Sequence, residues 1–167
     1  MVAEQCGDEH DRGHGNKHDH PENNLLNGGA GSDTLIGANG NDLLIGGTGN
    51  DTLETGAGAD IIAFNRGDGQ DTLLVGAGQD NTLSLGGGIK LGDLSFSHAG
   101  NDLLIQTGIP PAGQAPEQIT LRDWYASLDN HSIAILQIIG NAQSHDSHGS
   151  HDTHGKPDNK TFRQFDF

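Results

Sequence analysis

Asp33, Asp42, Asp51 and Asp60 recur every nine residues, and Asp71 and Asp80 resume the same spacing after a two-residue interruption at Phe64 and Asn65. They sit in the most glycine-rich part of the chain, and no basic residue falls between Asn24 and Asn65. Carboxylates repeating at short intervals without counter-charge oppose any fold that stacks them. A divalent cation between successive acids removes that conflict. The turns that carry the acids contain neither Cys nor His, so the donors are oxygens alone, which selects a hard cation such as calcium or magnesium over zinc. Calcium accepts a loose shell of carboxylate and carbonyl oxygens that a glycine turn can present, whereas magnesium demands tighter octahedral geometry.

The histidines suggest a second chemistry. His145, His148, His151 and His154 follow one another at three-residue spacing, and His10, His14, His18 and His20 lie near the start of the chain. Such tracts bind zinc, nickel or copper loosely, since nothing in the sequence orders the ligands, and they respond to pH near 6.5. The plainer account is a pair of polar, weakly charged tails. No Ser/His/Asp set, HExxH motif or phosphate-binding loop is present, and the G-x-G pattern of the repeats opens no helix. The chain is therefore not expected to be an enzyme.

The elements that must position the acids follow from the period. Gly28–Ile36, Gly37–Ile45, Gly46–Glu54 and Thr55–Ala63 align without gaps, and Arg66–Leu74 is an offset fifth unit. The acid is sixth in each, and the eighth residue is always apolar: Leu35, Leu44, Leu53, Ile62 and Leu73. A fixed nine-residue repeat indicates a solenoid. Six turn formers followed by three strand formers, two units per coil, give two thin parallel sheets with a Leu/Ile stripe between them. Alternate units share an edge. Asp33, Asp51 and Asp71 are expected on one, and Asp42, Asp60 and Asp80 on the other, with Asn24 of a degenerate first copy above them.

The totals agree with a cation-dependent fold. Of 167 residues, 32% are hydrophobic, Gly numbers 27, and the formal net charge is -15. That balance argues against nucleic acid or an anionic membrane as partner and favours cations. Fourteen acids face only Arg66, Lys90 and Arg122 between Pro21 and Gly140. The single Cys6 allows no internal disulfide. No apolar run is long enough to span a membrane, and the N-terminal stretch has no signal-peptide layout. Four regions are expected: a polar His-rich tail without core formers over 1–20, read as disordered; a β-roll over 21–80; a β cap over 81–140; and a second His-rich tail over 141–167.

The units "GGAGSDTLI" and "GGTGNDTLE" resemble the calcium-binding nonapeptide of the RTX (repeats-in-toxin) family, G-G-x-G-x-D-x-U-x, with U a large apolar residue. The resemblance implies an all-β chain: a parallel β-roll, a right-handed β-solenoid, with calcium as its cofactor. It implies side-chain ligands at Asp33, Asp42, Asp51, Asp60 and Asp71. Asp80, in a half-copy lacking the apolar eighth residue, and Asn24 extend the set. Turn carbonyls would come from Gly28, Ala30, Ser32, Gly37, Asn39, Asn41, Gly46, Thr48, Asn50 and Gly58. Ala38 replaces the second glycine of its unit, and Thr55 the first of its own. "RGDGQDTL", "LGGGIKLGDLSF", "GNDLLIQ" and "ITLRDWY" resemble the region that follows such repeats.

A roll needs a cap because its last coil leaves an open edge. An antiparallel β cap is expected, with a hairpin around Ala99-Gly100-Asn101, Trp124 in its core and a final strand in "HSIAILQIIG". Asp68 is either a turn acid or an added ligand, and Asp102 is a hairpin residue. The family resemblance further implies a secreted, extracellular bacterial protein exported by the type I secretion machinery, with a C-terminal signal to which Phe165-Asp166-Phe167 corresponds. Its implied function is a calcium-binding module that folds outside the cell. The alternatives are a His-rich transition-metal-binding protein on a β-roll scaffold, or the C-terminal part of a larger RTX toxin, adhesin or hydrolase.

Overall fold

A computed structural model of the chain describes residues 2–3, 22–74, 80–108, 115–140 and 162–166, the first and last of these as backbone. Within the repeats, β2 (Leu25–Ala30), β4 (Leu43–Thr48) and β6 (Ile61–Asn65) alternate with β3 (Thr34–Ile36), β5 (Thr52–Glu54) and β7 (Gln70–Leu74). The alternation arises because the Gly-rich half of each unit turns the chain from one sheet to the other. Strands β2, β4 and β6 pair in parallel in one sheet, and β3, β5 and β7 in the other. The register places each eighth-position residue on its counterpart two units on, Leu26 on Leu44 and Leu35 on Leu53.

Those residues form the core stripe. Leu26, Leu35, Leu44, Leu53, Ile62 and Leu73 are all buried, while their seventh- and ninth-position neighbours in β3, β5 and β7 are half-buried. Burying each contributes about 1.5–3 kcal/mol. One such side chain per nine residues is a thin core. The interruption at Phe64 and Asn65 thickens it: both join β6, and Phe64 is buried, with Leu85 of the neighbouring strand in the same sheet as its register partner. Strands β2 and β4 are longer than the expected three residues, since pairing continues through their glycines to Gly29–Gly47 and Ala30–Thr48.

Beyond the repeats the same two sheets continue. Strand β8 (Asn81–Gly86) lies parallel to β6. Strands β9 (Ser95–Ala99) and β10 (Asp102–Gln106) form the expected hairpin, with Gly100 at positive φ in a two-residue loop. Strand β11 (Gln118–Leu121) is antiparallel to β10 but parallel to β7, and β12 (Ile133–Ile139) is parallel to β8. The cap is thus antiparallel only in part: β11 and β12 extend the roll by one coil. At the chain ends, β1 (Val2–Ala3) lies on β3, and β13 (Phe162–Asp166) runs antiparallel on β12. The final sheet orders are β1-β3-β5-β7-β11-β10-β9 and β13-β12-β8-β6-β4-β2.

Trp124 is buried in the cap core and stacks on His131 with centroids 4.5 Å apart. It lies in the turn after β11. Tyr125 is exposed and meets His98 edge-on. No α-helix occurs among the described residues, so none there is long and apolar enough to cross a membrane.

Candidate calcium-binding ladder

Each repeat enters its strand through the sixth residue, and the backbone there is tied to the next coil on the same edge. The carbonyl of Asp33 accepts the Thr52 N–H at 2.9 Å, and that of Asp42 accepts the Ile61 N–H at 2.8 Å. The side chains add a second tie. The Asp33 N–H donates to Asp51 Oδ1 at 2.9 Å, and the Asp51 N–H to Asp71 Oδ1 at 3.0 Å. On the opposite edge the Asn24 N–H donates to Asp42 Oδ1 at 2.7 Å, and the Asp42 N–H to Asp60 Oδ1 at 2.9 Å. The structure therefore brings Asp33, Asp51 and Asp71 into one column and Asn24, Asp42 and Asp60 into the other, as the period required.

The other column does not continue as expected. The Asp60 N–H donates to Asn81 Oδ1 at 2.7 Å, and the Asp60 carbonyl accepts the Thr82 N–H at 2.8 Å. Asn81 is fully buried in the column position, and Asp80 is exposed beside it. Asp80 is thereby corrected from a column acid to a surface acid. The two residues added at Phe64 and Asn65 account for the step of 20 from Asp51 to Asp71, but the step from Asp60 to Asn81 is 21. Strand β8 pairs with β6 through Thr82 opposite Ile61 and Leu83 opposite Ile62, and that register carries Asn81 into line. The first column ends differently, since Ile119 of β11 is the register partner of Asp71.

The column carboxylates are buried, at 4% exposure or less for Asp33, Asp42, Asp51, Asp60 and Asp71. The second oxygens Oδ2 of Asp42 and Asp51 are enclosed without a hydrogen-bond donor. A buried carboxylate left half-satisfied costs free energy unless a cation or proton reaches it. Burial pushes the carboxyl of Asp71 up from its ordinary 3.8 to about 7; the Asp51 N–H opposes the rise, and the charges of Asp51 and Asp68 reinforce it. Burial likewise raises Asp60, with the Asp42 charge adding to the rise and the Asp42 N–H and the Thr55 side chain opposing it. Arg66 pairs with Asp93 at 2.7 Å, away from the columns.

Backbone oxygens lie beside these carboxylates. A Cβ placed on Gly28 would fall 2.7 Å from the Gly46 carbonyl oxygen and 2.8 Å from Asp33 Oδ2. On Gly37 it would meet Asp42 Oδ2 at 2.6 Å and the Thr55 carbonyl oxygen, and on Gly46 it would meet Asp51 Oδ2 at 2.5 Å. Lacking a Cβ, the first-position glycines let carboxylate and carbonyl oxygens close in on the bare backbone, an oxygen-lined cradle between coils. Among the described residues no three His, Cys, Asp or Glu side chains converge on one point. A cation here would take one or two carboxylates and complete its shell from carbonyls, the oxygen-only donor set that suits calcium.

The glycines at positions two and four meet a different demand. Gly47 and Gly49 have φ of 94° and 148°, and a Cβ on either would collide with the carbonyl of Gly29 or Gly31 in the coil above. Ala38 adopts the same left-handed region, at φ 70°, without glycine's freedom.

Of the residues expected to offer turn carbonyls, Gly28, Gly37 and Gly46 line the cradles, and Gly58 stands at the fourth position, where a Cβ would collide with the Gly40 carbonyl. Asn39 bridges to Ala57 across the coils; Ala30 and Thr48 pair with each other at the ends of β2 and β4, Ser32 lies in the turn after β2, and all three are exposed. Asn41 and Asn50 do something that sequence reasoning missed. Asn41 Oδ1 accepts the Ala59 N–H at 2.9 Å, Asn50 Oδ1 accepts the Gln70 N–H at 3.1 Å, and Asn23 Oδ1 accepts the Asn41 N–H at 2.7 Å. The fifth position thus forms an outer amide ladder, signalled only by its recurrent Asn. Asp68 is a buried turn acid whose Oδ2 accepts the Asn65 N–H at 2.7 Å, and Asp102 Oδ1 holds the Asp123 N–H at 2.8 Å. His10, His14, His18 and His20, and His145, His148, His151 and His154, lie outside the described residues.

Fold and ladder together define the class: a parallel β-roll that stacks carboxylates and carbonyls in register along both edges. Residues 21–44 and 36–71 match the RTX calcium-binding nonapeptide repeat, in four copies. The roll is an array of RTX calcium-binding repeats, and the ion such repeats bind is calcium. No curated protein matches the chain significantly.

Proposed function

We propose that this calcium-binding RTX module is a non-enzymatic folding switch in a secreted bacterial protein exported by the type I route. Buried, incompletely satisfied carboxylates at Asp42 and Asp51 carry the reading. Without calcium they repel, and the glycine-rich backbone gains entropy by unfolding. At cytosolic calcium the chain stays extended and fit for export. At the roughly 10⁻⁴–10⁻³ M typical of extracellular calcium sites, the ion neutralises the columns and the roll forms. Asp33, Asp42, Asp51, Asp60 and Asp71 hold the ion with turn carbonyls beside them.

Far-ultraviolet circular dichroism of the whole chain tests the switch. Coil is expected in excess chelator, and a cooperative gain of β signal on adding calcium. A full β spectrum in chelator would sink it.

A further inference from the structure

The column Asn24–Asp42–Asp60–Asn81 has carboxylates only in its middle, and its lower end departs from the calcium pattern in two independent ways. The first is chemical. At Asp42 and Asp51, Oδ1 accepts a backbone N–H from the coil above and Oδ2 is left without a donor. In Asn81, Oδ1 accepts the Asp60 N–H at 2.7 Å, which fixes the orientation of the amide. Its second atom is then Nδ2, a donor, and it reaches Thr55 Oγ1 at 3.4 Å. An NH₂ group stands where a cation would need oxygen.

The second is steric. At Gly28, Gly37 and Gly46 the carboxylate of the same repeat packs so close to the backbone that a Cβ would collide with it. The corresponding residue in the repeat of Asp60 is Thr55, whose side chain is buried at 1% exposure. Where three repeats set bare backbone against the carboxylate, the fourth carries a buried side chain, and its hydroxyl is the one that Asn81 engages.

We infer that Asn81 and Thr55 form a hydrogen-bonded clasp that replaces calcium at the step from Asp60 to the cap. Amide and hydroxyl hydrogens supply there, permanently, the positive charge density that other steps take from the ion. The joint between roll and cap is then independent of calcium, and the ion acts on the coils above it. The inference deepens the calcium-switch reading and rests on it for the role of those upper coils.

Calcium stoichiometry of the whole chain, measured by isothermal titration, tests the clasp. Asn81→Asp combined with Thr55→Gly restores the pattern of the other coils and should bind one calcium more than the parent; an unchanged count would overturn the inference. Asn81→Ala should lose stability yet, at saturating calcium, bind as many ions as the parent; one ion fewer would show Asn81 to be a ligand and would equally overturn it. The two variants change the buried amide in opposite directions, so failure of one to fold leaves the other decisive. Dichroism of the parent in chelator reports separately on the switch: a parent folded without calcium defeats that reading, while the ion counts still decide the clasp.

Discussion

Asp51 stands in the middle of a three-acid column, with its carboxylate on the Asp33 N–H and its own N–H on Asp71. Replacing it by Ala removes a carboxylate adjoining two steps and strands a buried donor, itself worth about 1–3 kcal/mol. Asp51→Ala should therefore raise the calcium midpoint of folding by about tenfold or more, and by more than Asp33→Ala, in a dichroism titration. Equal shifts would show that the column does not act as a chain. Ala38 tests the backbone in the opposite direction. Its φ of 70° costs an L-residue about 1–2 kcal/mol, which glycine avoids. Ala38→Gly should lower the midpoint and raise the melting temperature of the calcium-loaded protein.

Protons are the natural competitors at these sites. The carboxyl of Asp71 lies near 7 in the roll and near 3.8 when exposed, and Asp60 and Asp68 are raised for the same reason, burial. A raised carboxyl means that the metal-free roll binds more protons than the unfolded chain. Its stability is then greatest at acid pH and falls as pH rises from about 4 through about 7. In chelator, β signal should grow as pH is lowered from 8 to 5. With calcium present, the midpoint should move to higher calcium over the same interval, because the ion must displace a proton. Opposite trends would contradict the assignment of the raised groups to the columns.

At the scale of elements, the strands divide by how much of their placement the sequence carried. Strands β2 to β7 follow from the nine-residue beat, because one apolar residue per unit can face inward in only one register. The register of β8 does not follow, since counting on by nine gives Asp80. The β8 register that sets Leu83 on Ile62 and Leu85 on Phe64 selects Asn81 instead, one residue further along than the beat. Strands β11 and β12 read as strands, but their parallel alignment with β7 and β8 depends on contacts nearly fifty residues away in sequence. Strand β12 is the most apolar in the cap, and its outer edge is covered by the backbone of β13. An uncovered apolar edge pairs with other chains. Truncation of residues 162–167 should therefore leave a calcium-loaded protein that self-associates in sedimentation velocity, where the whole chain sediments as a smaller species. Identical sedimentation would mean that β13 does not guard this edge.

For the whole molecule, roll and cap share both sheets, with no break in pairing from β7 to β11 or from β8 to β12. Trp124 reports on the cap and far-ultraviolet dichroism mainly on the roll. Their calcium midpoints should coincide, whereas separated midpoints would show that the cap folds as an independent unit. The sequence by itself determined the repeat, the sixth-position acids, the apolar stripe, the division of Asp33, Asp51 and Asp71 from Asp42 and Asp60, and the preference for a hard cation. These follow from period and composition, which are local and additive along the chain. Only the tertiary structure decided where each column stops, that Asn81 displaces Asp80, that Thr55 buries its side chain beside it, and that the cap prolongs the roll. Those outcomes depend on which distant strand buries an apolar edge most completely, and a linear spacing cannot express that choice.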